Sequence, residues 1–146
     1  MLKDFKRRGV PIDGVGLQMH VPNLVVDLPS IAANMGRIAA LGLQVHITEL
    51  DVSLPLNADS KVNGDLLHPE DLQRQAEIYR GVVRMCLDNP NCTAIQTWGF
   101  TDKYSWIGSH SHGSRGEALP FDRVYRPKPA YNATSEELAR GRNAAH

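Results

Sequence analysis

Apolar and polar positions along this chain repeat with two periods, and the changes of period mark its elements. From Ile12 to His20 the alternation is that of a strand, with Val15, Leu17 and Met19 on one parity and Gly14, Gly16, Gln18 and His20 on the other. Val45 to Val52 repeats it, placing Val45, Ile47 and Glu49 on one expected face and His46, Thr48 and Leu50 on the other. Thr93 to Gly99 is a third strand, in which Ala94, Gln96 and Trp98 share a parity. Between the strands the spacing becomes helical. Ile31, Met35, Ile38 and Leu41 form one stripe, opened by Asp27-Leu28-Pro29-Ser30 and closed by Gly42. Leu72, Ala76, Tyr79, Val83 and Cys86 or Leu87 form another, started by His68-Pro69-Glu70-Asp71 and stopped by Asn89-Pro90. Met1 to Gly9 reads as the end of an amphipathic helix whose beginning is absent. A last helix follows Pro127-Lys128-Pro129 and ends near Arg140, leaving 141–146 as a disordered tail.

Taken in order, this is β-α-β-α-β-α, and short links between strand and helix imply parallel strands. Each strand finishes in polar or aromatic residues: Gln18 and His20, then Glu49 and Asp51, then Gln96 and Trp98. Parallel α/β folds place their ligands beyond those carboxyl ends. Glycines on one face of the first strand point to a crowded interior or a close backbone approach. The loop from Ser53 to His68 is long enough to expect function of it, and a second, from Phe100 to Gly116, is rich in aromatics, His, Ser and Gly. Three βα units do not close a (β/α)8 barrel, which needs roughly 250 residues. A doubly wound sheet is the open alternative, but no Gly-x-Gly-x-x-Gly or phosphate loop supports a nucleotide.

Composition narrows the partners. The 146 residues are 42% apolar and 22% charged, values of a globular chain with a real core. Sixteen basic and sixteen acidic side chains cancel, which argues against nucleic acid or an anionic membrane as main partner. No run of about 18 apolar residues exists to span a bilayer, and Met1 to Gly9 lacks the features of a signal peptide. Cys86 and Cys92 are not spaced as Cys-x-x-Cys. They form either a disulfide closing a short loop or two buried free thiols.

The candidate chemistry gathers at Glu49. A carboxylate at the tail of an apolar strand is costly unless something pairs or uses it. His20 and Asp51 also lie at strand ends. Taken singly, Asp51 reads as a loop cap and His20 as a satisfied strand-end histidine. His46 falls on the parity opposite to Glu49, which assigns it a structural place against the helices or rim. That mismatch also argues against a metal held by His20, His46, Glu49 and Asp51, and no cofactor is called for.

Four motifs then coincide: Gly16-Leu17-Gln18-Met19-His20; Ile47-Thr48-Glu49-Leu50-Asp51; Trp98-Gly99-Phe100-Thr101-Asp102-Lys103-Tyr104-Ser105-Trp106; and Phe121 to Tyr131. In this order and spacing they resemble the last strands of glycoside hydrolase family 10, the endo-β-1,4-xylanases. The resemblance implies a (β/α)8 barrel of which this chain covers about strands six to eight, with residues 1–140 the C-terminal portion of the catalytic domain. It implies a retaining mechanism in which Glu49 is the nucleophile, oriented by His20 and in turn by Asp51. Gln18 is implied near the cleavage point, with Trp98 and Trp106 as walls against sugar faces. Asp102 and Tyr104 belong to the motif and either support the loop or touch sugar. His110 and His112 read as solvated loop. The family's short disulfide before the eighth strand implies a Cys86–Cys92 bridge and favours secretion of the parent protein.

The family's acid/base glutamate lies in a Trp-Asp-x-x-Asn-Glu stretch on the fourth strand, and no such stretch occurs here. The expectation is therefore hydrolysis of internal xylan bonds with this chain supplying the nucleophile half, inactive without the missing N-terminal barrel half. A non-catalytic xylan-binding remnant is the alternative. Self-association covering the open sheet edges is a further expectation.

Overall fold

The computed structural model describes residues 1–56 and 68–144. The element order is α1 (Leu2–Arg7), β1 (Gly14–Val21), α2 (Leu28–Ala39), β2 (Gln44–Val52), β3 (Leu54–Pro55), α3 (Pro69–Leu87), β4 (Cys92–Thr97), α4 (Ile107–His110), β5 (Arg115–Gly116) and α5 (Pro129–Ala144). The expected long elements are all present, with ends shifted by a few residues. α2 starts where Asp27 accepts a hydrogen bond from the Ser30 N–H at 3.0 Å, satisfying one of the helix's free donors. α3 starts at Pro69 with Glu70 and Asp71 in its first turn. α5 continues to Ala144, so 141–144 is helical where the sequence reads as tail. Most of the loop expected between Ser53 and His68 lies outside the described residues.

β1, β2 and β4 form one parallel sheet in chain order. Val45, Ile47, Leu50 and Val52 are buried against Met35 and Ile38 of α2 and Ile78, Tyr79 and Val82 of α3. At about 1.5–3 kcal/mol per buried aliphatic or aromatic side chain, this single face supplies most of the drive to fold. The opposite face carries Gly14, Gly16 and Gln18 of β1, Gln44 and His46 of β2 and Gln96 of β4, all exposed. Sequential strands with both connecting helices on one face are the arrangement of neighbouring units in a β/α barrel. A doubly wound sheet would distribute its helices over both faces.

One strand pairing was not expected. β3 and β5 pair antiparallel, through Leu54 with Gly116 and Pro55 with Arg115. The aromatic loop is thereby tied back to the end of β2, and Val52 N–H donates to Ala118 O at 3.0 Å in continuation. From below, the buried Gln75 amide donates to the Val52 and Glu117 carbonyls at 2.6 Å each, and the Tyr79 hydroxyl to Ala118 O at 2.8 Å. Burial holds the Tyr79 phenol pKa well above its ordinary value, so it stays a donor. α5 is fastened to α3 by the Arg84–Glu137 pair and by Arg80–Glu136 at 2.9 Å. Cys86, at the end of α3, and Cys92, at the start of β4, are joined by a disulfide.

Candidate active site

A slip in register decides which way the site faces. Between Gln18 and His20 β1 advances two residues while β2 advances three, from Thr48 to Asp51. β4 also advances two, Ile95 to Thr97, against Ile47 to Leu50. β2 thus carries one extra residue relative to both neighbours, a β-bulge. Glu49 sits in it with a φ of 58°, a left-handed backbone that costs a non-glycine residue about 1–2 kcal/mol.

The bulge corrects the expected parity. Strict alternation would have turned Glu49 toward the helices with Val45 and Ile47. Instead Leu50 takes the next core position, 1% exposed, and Glu49 joins Gly16, Gln18, Thr48, Gln96, Thr97 and Trp98 around a concavity of about 430 Å³. His46 is corrected for the same reason. Val45 and Ile47 face the helices, so His46 points to the open face, exposed and paired in register with Gly16. Gly16 keeps that face flat, since a Cβ there would meet Thr48 Cγ2 at 3.3 Å.

Four side chains are linked through Glu49. Gln18 Nε2 donates to Glu49 Oε1 at 3.0 Å, and His20 Nε2 lies 3.1 Å from Oε2. His20 Nδ1 lies 2.8 Å from Asp51 Oδ2. Two carboxylates flank the one imidazole, so every contact is a hydrogen bond when both ring nitrogens carry hydrogen. Asp51 is 1% exposed and Glu49 half-buried. The arrangement therefore presents one partly accessible carboxylate, oriented by an amide and an imidazole and backed by a second, buried carboxylate. An acid so held is a nucleophile or an electrostatic stabiliser.

The aromatic loop completes the surroundings. Trp98 is 50% exposed at the concavity's rim. Trp106 is half-buried, its ring meeting His20 edge-on with centroids 5.0 Å apart, and its indole Nε1 donates to Asp51 Oδ2 at 3.0 Å. His110, expected as solvated loop, lies with its ring 4.5 Å from that of Trp106, although it remains exposed. Tyr104 is exposed and its hydroxyl lies 3.4 Å from that of Tyr125. Asp102 is buried and supports the loop. Its carboxylate accepts from Leu119 N–H at 2.8 Å and from Lys128 Nζ at 2.8 Å, and Lys128 also donates to Glu117 O at 2.7 Å. Burial pushes the Asp102 carboxyl up to about 7 against the opposing pull of Lys128. The sequence signal for this anchor is the lysine held between two prolines, which fixes its entry into α5.

A family model for glycosyl hydrolase family 10 matches residues 1–137. This chain belongs to that family. Endo-1,4-beta-xylanase B of Thermotoga neapolitana is 46% identical to it over 136 residues, which are 93% of this chain and 37% of that protein. Native xylanase 10B from Thermotoga maritima superposes with a TM-score of 0.85 at 44% identity, covering 96% of this chain and 40% of that one. Xylanase 10B from Thermotoga petrophila RKU-1, solved in complex with xylobiose, gives 0.86 at 44% identity over the same shares. Family 10 xylanases are (β/α)8 barrels, and this family 10 chain spans about 40% of the length of those it matches.

Proposed function

We propose that this chain supplies the nucleophile half of a retaining endo-β-1,4-xylanase site, on strands six to eight of the family 10 barrel. The observation that carries the reading is the carboxylate of Glu49, bracketed by Gln18 and His20 on the open face beside Trp98. In this reading Glu49 attacks the anomeric carbon and the glycosidic oxygen leaves, giving a covalent glycosyl-enzyme that water then hydrolyses. His20 and Asp51 orient Glu49, Gln18 binds near the cleavage point, and Trp98 and Trp106 wall the pocket for the sugar. The xylobiose complex of a 44% identical neighbour supports a xylo-oligosaccharide as the ligand.

A retaining glycosidase needs a second carboxyl about 5–5.5 Å from the first to protonate the leaving oxygen. Asp51 is not available for this, because it is buried behind His20. The acid/base group and the remaining sugar contacts come in this reading from polypeptide outside these 146 residues, and the parent protein is secreted. Purified alone, the chain is expected to release no reducing sugar from xylan. Supplying the first five strand–helix units of a family member in the same polypeptide restores hydrolysis, and Glu49→Gln removes it again. Turnover by the isolated chain at the rate of the complete barrel would overturn the division of the site.

The half-exposed Trp98 beside Gln18 and Gln96 favours a second reading, a non-catalytic xylan-binding surface. Calorimetry with xylo-oligosaccharides separates the two. Binding lost in Trp98→Ala, with no hydrolysis even in the completed barrel, would favour the second.

A further inference from the structure

We infer that Trp106 is a positioning residue for Glu49: its indole N–H holds Asp51, which fixes the imidazole that holds the glutamate. The inference rests on the reading of Glu49 as nucleophile and adds to the role of Trp106 as a sugar wall. Asp51 is buried, and its Oδ2 accepts from both His20 Nδ1 at 2.8 Å and Trp106 Nε1 at 3.0 Å. Its Oδ1 has no hydrogen-bond partner among the described residues. The rotation of this carboxylate is therefore set by two donors converging on one oxygen, and only one of them belongs to the strands. A ring that served solely as an apolar platform would have no use for an N–H aimed at a buried acid.

The loop is built to keep that donor in place. Ile107, next to Trp106, is buried with Ala118 and Leu119, and the Leu119 N–H is bound by Asp102, itself paired with Lys128. Edge-on packing of Trp106 on His20 fixes the second coordinate of the imidazole, its tilt. Removing the indole N–H leaves Oδ2 with His20 alone, inside an environment where a lost hydrogen bond is not replaced by bulk solvent. The imidazole then loses its fixed partner geometry, and Glu49 Oε2 loses its fixed donor.

Nuclear magnetic resonance on the 146-residue chain tests this, because Trp98 and Trp106 are its two tryptophans. The Trp106 indole proton is expected to exchange with solvent about tenfold or more slowly than that of Trp98. Asp51→Ala is expected to shift the Trp106 indole signal and leave that of Trp98 in place. Trp106→Phe keeps an aromatic wall but removes the donor, and both ring-nitrogen signals of His20 are expected to move. Tyr104→Phe, which alters an exposed side chain of the same loop and leaves the indole and its packing in place, is expected to leave them. Unmoved His20 signals in Trp106→Phe, or equal movement in Tyr104→Phe, would overturn the inference. Should Trp106→Phe not fold, an indole proton of Trp106 that exchanges as fast as that of Trp98 overturns it equally. A failure of Glu49 as nucleophile would appear in the chemistry of Glu49 without altering these signals.

Discussion

Gln18 and Glu49 meet at 3.0 Å across two parallel strands that fall out of register at that level. The extra residue in β2 is what makes the contact. Without it the glutamate would lie among the helices and the glutamine would face an empty strand end. The positive φ of Glu49 is thus the conformational cost of placing a charge on the open face, a form of strain found at functional sites.

Relief of that strain is measurable. Glu49→Gly removes the Cβ that disfavours a left-handed backbone, and it is expected to raise the unfolding free energy by about 1 kcal/mol, net of the added chain entropy of glycine. Urea unfolding of the two chains checks it. A loss of 1 kcal/mol or more would show that the hydrogen bonds of Glu49 outweigh the strain.

The Asp102–Lys128 pair is buried on both sides. Lys128→Met and Asp102→Asn each break it and leave an uncompensated or poorly paired group, with an expected loss of about 3–5 kcal/mol for the one that strands a charge. The pairing of β3 with β5 should loosen with it, seen as faster amide exchange at Gly116 and Leu119. Wild-type protection in Lys128→Met would contradict this.

The same carboxyl gives a pH dependence. Burial lifts Asp102 from 3.8 to about 7, so between those values the folded chain binds more protons than the unfolded one. Its contribution to stability is complete below pH 3.8 and is lost as pH rises through about 7. Relative to Asp102→Asn, wild-type stability is expected to fall across that window in denaturant titrations. A rise with pH would mean that Lys128 dominates and the acid titrates low.

The bridge between Cys86 and Cys92 closes a short loop, and removing it in the Ser/Ser double variant is expected to cost about 2 kcal/mol by loop entropy. Thermal melts of the wild-type chain with and without reductant give the same comparison without mutation.

Strands, helices and the site's four linked residues were legible because each rests on local pattern. Period-2 runs mark β1, β2 and β4, proline and acids mark the start of α3, and the motifs place Gln18, His20, Glu49 and Asp51 at strand ends. What was not legible depends on a single backbone dihedral or on distant pairing. No glycine marks the bulge, because its left-handed position is held by the glutamate itself, and so alternation groups Glu49 with Val45 and Ile47 and sets His46 apart from it. The β3–β5 pairing joins two-residue segments sixty positions apart, too short for any period to show. The Trp106–Asp51 bond spans 55 residues and follows from the path of the aromatic loop, which apolar patterning does not encode.

Reaction of the completed barrel, with the first five strand–helix units supplied in the same polypeptide, with a 2-deoxy-2-fluoro-xylobioside carrying a dinitrophenolate leaving group tests the nucleophile most directly, because the glycosyl-enzyme it forms is long-lived. Mass spectrometry of a proteolytic digest is expected to show one fluoroxylobiosyl unit on the peptide containing Glu49, absent from Glu49→Gln. A folded, completed barrel labelled on any other residue, or not labelled at all, would contradict the assignment of Glu49.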